Sequence, residues 1–401
     1  MTTCGICAKN SVVTLLNAGL QPIANRFLRS PNESERTYPI ILGQCETCGT
    51  AQLVNPVPAE ELLPHFDWIT YNEPEGHLDR LSDTLKGLPG LTDDSVIAGV
   101  SFKDDTTLAR LQKLGFPVAW RIDPATDLCI GEKGAGVETI QDRLNLSSAN
   151  RICKNHPAAD ILMVRHILEH APDPGRFMES LKSLITPDSY IVFEVPDCSR
   201  SFANFDYTTL WEEHPVYFTP DSFKQSLIIN GFDIIQYECY PYAFENSLVA
   251  IVKMSKGKKA AQPLSGAPAS LLTYGKAFGP VKDKIKTFFA DFRKARGKIA
   301  LLGAGHLACM YIGLFEVGDY VEFIADDNPN KQGLFMPGSR LPIYGSQKLL
   351  TSGIKLCLLG LNPEIEDKVV AKNRGFTDQG GTFASIFPGS KYSLFNLGMM
   401  S

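Results

Sequence analysis

The sequence contains no run of about 18 apolar residues that could span a bilayer, and no Lys/Arg-dense stretch of useful length. Nothing at its N-terminus follows the order of a signal peptide. With 39 basic against 44 acidic residues, the net charge is −5, which argues against a nucleic-acid-binding chain. A disulfide framework is also missing. Six of the ten cysteines (Cys129, Cys153, Cys198, Cys239, Cys309, Cys357) are scattered singly, a pattern of reducing compartments. No internal repeat is visible. These absences leave a cytoplasmic, enzyme-like protein with no nucleic-acid and no membrane partner. Its 401 residues suggest two or three domains, and 44% hydrophobic with 21% charged residues is ordinary for a globular chain.

The other four cysteines form two C-x-x-C knuckles, Cys4-Gly5-Ile6-Cys7 and Cys45-Glu46-Thr47-Cys48-Gly49. Two residues between cysteines let one tight turn aim both sulfurs at one metal. Together Cys4, Cys7, Cys45 and Cys48 supply the four ligands of a closed tetrahedral zinc site, which has no open position for catalysis. The same residues are also open to reading as a redox dithiol or as unrelated core cysteines. Between the knuckles, Val12–Leu16 and Tyr38–Leu42 are β-prone runs suited to a small metal-stapled sheet.

From Ser95 the pattern alternates. Strands are expected at 95–100, 117–122, 160–164 and 190–195, with helices at 106–114 and 176–184, so βαβ units and a mostly parallel sheet follow. Ligands in such sheets lie beyond the carboxyl ends of the strands. That places 101–105, Asp123, His166–Glu169 and Glu194–Asp197 at the site. An acid at the end of the second strand suits a ribose hydroxyl, although Asp123 is equally at home as a helix cap. His166-Ile167-Leu168-Glu169-His170 spells the inverted zinc-protease signature. A strand before it and Pro172 and Pro174 after it deny the long helix that a protease needs, so the loop is read as packing against a cofactor. In Trp211-Glu212-Glu213-His214-Pro215-Val216-Tyr217, carboxylate, imidazole and phenol stand close enough in sequence to shuttle a proton. A structural turn with a hydrogen-bonded His is the plainer alternative.

Residues 254–270 read as a linker and 271–296 as an amphipathic helix. The strand 298–302 then runs into Gly303-Ala304-Gly305-His306-Leu307-Ala308, a G-x-G-x-x-A turn, with Asp326 and Asp327 downstream. NAD, a nucleotide-sugar diphosphate or nothing could occupy it. Strands at 321–325, 355–359 and 382–386 complete a second, smaller parallel sheet.

This order of parts resembles the sugar-nucleotide C-methyltransferase family. The resemblance is carried by the knuckles, Gln21-Pro22-Ile23-Ala24-Asn25, Leu168-Glu169-His170-Ala171-Pro172-Asp173-Pro174, Glu213-His214 with Tyr217-Phe218, and Asp327-Asn328-Pro329. It implies an α/β chain in three parts: a zinc-binding module (1–78), a class I methyltransferase-like sheet (79–255), and a linker, bridging helix and Rossmann-like domain (256–401). It further implies C-methylation of a nucleotide-linked keto-deoxysugar by S-adenosylmethionine (SAM), through an enolate. Glu213, His214 and Tyr217 would be catalytic. Gly99, Ser101, Asp123, His166 and Leu168 would bind the cofactor, and Tyr71, Asn246, Gly303, Gly305 and Lys331 the substrate. The family's glycine-rich first loop stands here as Gly99-Val100-Ser101-Phe102-Lys103-Asp104-Asp105, and its Y-H-E-H as Trp211-Glu212-Glu213-His214. The same scaffold also admits a sugar-nucleotide enzyme that moves protons without methylating, and a silent sugar-nucleotide binder.

Overall fold

A computed structural model describes residues 2–63, 65, 66, 68, 69, 73–131, 136–257 and 269–399. Tyr71 therefore lies outside the described residues. Contacts divide the chain into two compact units. One comprises Met1–Thr14, Gly43–Ser199 and Glu213–Ala267; the other comprises Leu15–Leu42, Arg200–Glu212 and Pro268–Ser401.

Strands β1 (Val12–Pro22), β2 (Thr37–Cys45) and β3 (Ala51–Leu53) form a four-stranded sheet in the order β1-β2-β3-β8, with β8 at Val216–Tyr217. Both early strands run longer than their most β-prone cores. The strand β1 continues through Asn17 and Gly19, where Asn17 Oδ1 accepts the Gly19 amide at 2.9 Å. The pairing of β8 with β3 places Tyr217 opposite Ala51.

The central sheet of the first unit joins β4 (Ile97–Gly99), β5 (Ala119–Arg121), β6 (Ala159–Arg165), β7 (Ile185–Asp197), β9 (Phe232–Tyr240) and β10 (Asn246–Met254) in the order β5-β4-β6-β7-β10-β9. The first four are parallel, and β10 is antiparallel to both β7 and β9. The middle strands are apolar on both faces, as a sheet covered by helices on both sides requires. Strand order reverses between β4 and β6, so the crevice at their carboxyl ends is the expected ligand position. Two helices without strong sequence signals, α3 (Val137–Arg143) and α4 (Leu146–Asn155), fill the stretch before β6. They follow α1 (Leu78–Lys86) and α2 (Asp105–Lys113) in the same unit.

The second unit contains a five-stranded parallel sheet in the order β13-β12-β11-β14-β15, built from β11 (Lys298–Leu302), β12 (Val321–Ala325), β13 (Ile343–Tyr344), β14 (Ile354–Leu359) and β15 (Thr382–Ser385). The 27-residue helix Ala269–Ala295 precedes it. No helix among the described residues is long and apolar enough to cross a membrane.

Candidate functional site

The knuckles converge. Cys4 and Cys48 sulfurs lie 3.6 Å apart, as do those of Cys7 and Cys45. Tetrahedral zinc–thiolate bonds of about 2.3 Å place sulfurs roughly 3.8 Å apart, so the four thiolates fit a zinc ion. Amides of Ile6 and Cys48 and the Ser11 hydroxyl point at these sulfurs, at 3.4, 3.5 and 3.1 Å, and disperse the thiolate charge. This is a closed structural centre.

The crevice between β4 and β6 is organised by Asp104. Its carboxylate accepts the Val100 and Ser101 amides at 2.8 and 2.9 Å and the Arg165 amide at 2.9 Å, joining the two strand ends. Gly99 is glycine for that reason, since a Cβ there would lie 2.9 Å from the Asp104 Cβ. Ser101 is buried and caps the turn 102–104. Burial pushes the Asp104 carboxyl up to about 7, against the pull of the amides and of Arg165.

Around Asp104 lies a buried charged group. The Arg165 guanidinium, 1% exposed, donates to Glu194 at 2.5 Å and to the Lys103 carbonyl at 2.7 Å. Lys103 pairs with Glu73. His166 Nε2 lies 3.0 Å from Glu194, and its Nδ1 is 3.4 Å from Glu169 and 3.5 Å from Glu73. Burial alone would lower the His166 pKa, but Glu73 and Glu194 outweigh it and raise it to about 10. Glu73 is likewise held down at about 2 despite burial, chiefly by Lys103 and His166. His77 completes the group, 3.2 Å from Glu194 and 2.7 Å from the Tyr242 hydroxyl.

One turn beyond His166, the chain brings Glu169 and His170 together with His214, with ligating atoms all within 4.8 Å of one another. Glu138, His170 and Glu213 form an overlapping group under the same limit. The His170 and His214 rings meet edge to face at 4.4 Å. Glu213 is buried and His214 half-buried. The turn Leu168–His170 is a single short 3-10 turn, the opposite of a protease helix.

The structure thus brings His166 and Glu213-His214 to one strand-end region, and Leu168 is buried beside them. Tyr217 is buried within β8. Asp123 stands exposed at the end of β5, where Thr126 donates to it from its amide at 2.7 Å and its hydroxyl at 2.9 Å. Asn246 opens β10 and donates to Asp197 at 3.1 Å, at the carboxyl end of β7. Gly303, Gly305 and Lys331 belong to the second unit. There Asp326 accepts the Ala304 amide at 2.8 Å, and Lys331 Nζ reaches the Ala304 carbonyl at 2.7 Å and Asp326 at 3.1 Å. Trp211 and Glu212 also serve that unit. The indole stacks on His306 at 4.0 Å, and Glu212 accepts the Ala24 amide at 2.6 Å.

Sequence reasoning did not reach Glu138, on a short helix, or Arg165 and Glu73 as partners in the buried charge. The H-x-x-E-H spelling did point at Glu169 and His170, though for a different chemistry.

Three family models match the chain: "Putative zinc binding domain" over residues 4–63, "Methyltransferase domain" over 104–237, and "C-methyltransferase C-terminal domain" over 255–388. A C-methyltransferase, NovU of Streptomyces niveus, is 22% identical over 96% of this chain and 95% of its own. Among solved structures, a 1,6-didemethyltoxoflavin-N1-methyltransferase of Burkholderia thailandensis, bound to S-adenosylhomocysteine, covers 45% of this chain and 78% of its own. Its identity is 14% and its TM-score 0.31. A SAM-dependent methyltransferase of Anabaena variabilis covers 44% of this chain and 83% of its own, at 15% identity and TM-score 0.31.

Proposed function

We propose that this SAM-dependent methyltransferase, which carries the zinc-binding, methyltransferase and C-terminal domains of the C-methyltransferases, methylates carbon on a nucleotide-linked keto-deoxysugar through an enolate. The residues at the strand ends suit the cofactor. Lys103 offers a cation for the methionine carboxylate, and the exposed Asp123 carboxyl suits a ribose. When bound, SAM supplies an electrophilic methyl group.

A carbon atom must become nucleophilic before it can take that methyl group. A C–H beside a ketone is the accessible carbon acid, and removing its proton needs a base at hydrogen-bond reach and a group that receives the oxyanion. The observation that carries the reading is the gathering of Glu213, His214 and His170 at the carboxyl end of β6. In this reading Glu213 takes the proton, and the imidazoles face the developing oxyanion. The sugar-nucleotide identity rests on the order of domains and on the motifs named above.

The test incubates the protein with 13C-methyl SAM and a panel of nucleoside-diphosphate 4-keto-deoxyhexoses, followed by mass spectrometry. The expected product gains one labelled methyl group, and substrate recovered from D2O gains deuterium at the same carbon. No transfer to any panel member by a protein that still binds S-adenosylhomocysteine would discard this substrate class.

A further inference from the structure

We propose that Glu169, His170 and His214 form a second metal site, for a divalent first-row ion, separate from the four cysteines. Their ligating atoms already lie within 4.8 Å of one another. Two imidazoles and one carboxylate are a donor set that holds such ions while leaving coordination positions open. Small side-chain adjustments bring these atoms to the roughly 3 Å separations that bonds of about 2.1 Å impose.

Two further observations support the assignment. Glu169 is 1% exposed, and its Oε2 makes no hydrogen bond. A buried carboxylate oxygen left in that state is costly unless a cation meets it. His170 Nδ1 lies 2.9 Å from Glu138 Oε1. A carboxylate beside one ring nitrogen commonly accompanies a metal-ligating imidazole.

The ion's role rests on the enolate reading. The substrate ketone oxygen takes an open position on the metal. The C–H bond beside the ketone breaks, and its proton goes to the Glu213 carboxylate. The electron pair forms the new C=C bond while the carbonyl π pair moves onto the metal-bound oxygen. Glu213 is placed for this, since its carboxylate lies within 4.8 Å of His170 and Glu138 atoms.

The site is tested on the full, zinc-loaded chain with Mn2+ as the probe, a hard ion that leaves the thiolate centre alone. Elemental analysis and EPR titration are expected to show one bound Mn2+ beside one zinc. Glu169→Gln and His214→Asn should each weaken Mn2+ binding at least about 100-fold, and Glu138→Gln by about 10- to 100-fold. Thermal melting and retained zinc establish that each variant is folded. No bound Mn2+ at millimolar concentration overturns the site, as does binding that both ligand variants leave unchanged. Full turnover by protein that holds one zinc per chain and no other metal overturns the site without touching the substrate reading. Bound Mn2+ without transfer to any keto-sugar overturns only the substrate reading.

Discussion

Asp104 holds the backbone amide of Arg165 at 2.9 Å, so the loop after one parallel strand is anchored to the last residue of its neighbour. Two more amides converge on the same carboxylate. Asp104→Ala would leave three buried amides unpaired beside a guanidinium that has lost a negative neighbour. The expected cost is about 3–5 kcal/mol, read as a lower urea midpoint at unchanged m-value. A change below about 1 kcal/mol would show that the crevice is not held together at this point.

Stability should fall as the solution becomes alkaline. His166 is raised from an ordinary 6.5 to about 10 by Glu73 and Glu194. The folded state therefore binds more protons than the unfolded state between those values, and the slope of unfolding free energy with pH is negative there. The contribution is fully present below pH 6.5 and lost as pH rises through about 10. In His166→Asn, the melting temperature should decline less across that window than in the parent chain. Parallel decline in both would assign the loss to other groups.

Zinc removal should be felt as unfolding. Cys4, Cys45 and Cys48 are buried in the main apolar core of the first unit, so a strong chelator is expected to lower the melting temperature by on the order of 10 °C. Cys45→Ser should abolish zinc binding, whereas Cys153→Ser, at an exposed position outside the centre, should keep one zinc per chain. Colorimetric zinc release with thermal melting checks both.

Glu213→Gln should lower kcat for methyl transfer by about 10²- to 10⁴-fold, the usual worth of a positioned base. Affinity for S-adenosylhomocysteine, measured by calorimetry, should change less than about threefold, because the cofactor is held elsewhere along the strand ends. Solvent deuterium exchange into the substrate should fall with kcat. Exchange that persists while transfer stops would remove Glu213 from the proton step.

Several of these relationships were readable from residue order and several were not. The cysteine spacing pointed to the metal centre because two knuckles need only one turn each. Apolar strands alternating with amphipathic helices marked both parallel sheets, and the boundaries of β4 and β6 fell within a few residues of expectation. The helices at 137–143 and 146–155 escaped because both are short, with seven and ten residues. With the first went Glu138, whose significance depends on facing His170 across the fold. Arg165 shows the same limit more sharply. A charged residue ending an apolar strand reads as a solvent boundary, and only the arrival of Glu194 from a strand 29 positions later turns it into a buried pair.

The division between Glu212 and Glu213 falls inside one short motif, and it is one of five places where the chain passes from one compact unit to the other. Neither body is a continuous length of polypeptide, so no single proteolytic cut or truncation releases either of them whole. During synthesis, the first must wait for its last strand at Asn246–Met254, with pieces of its companion already made and unhoused. Domain-swap experiments between relatives should therefore exchange whole chains or sets of segments, and a junction placed at the linker alone would leave both bodies with foreign parts.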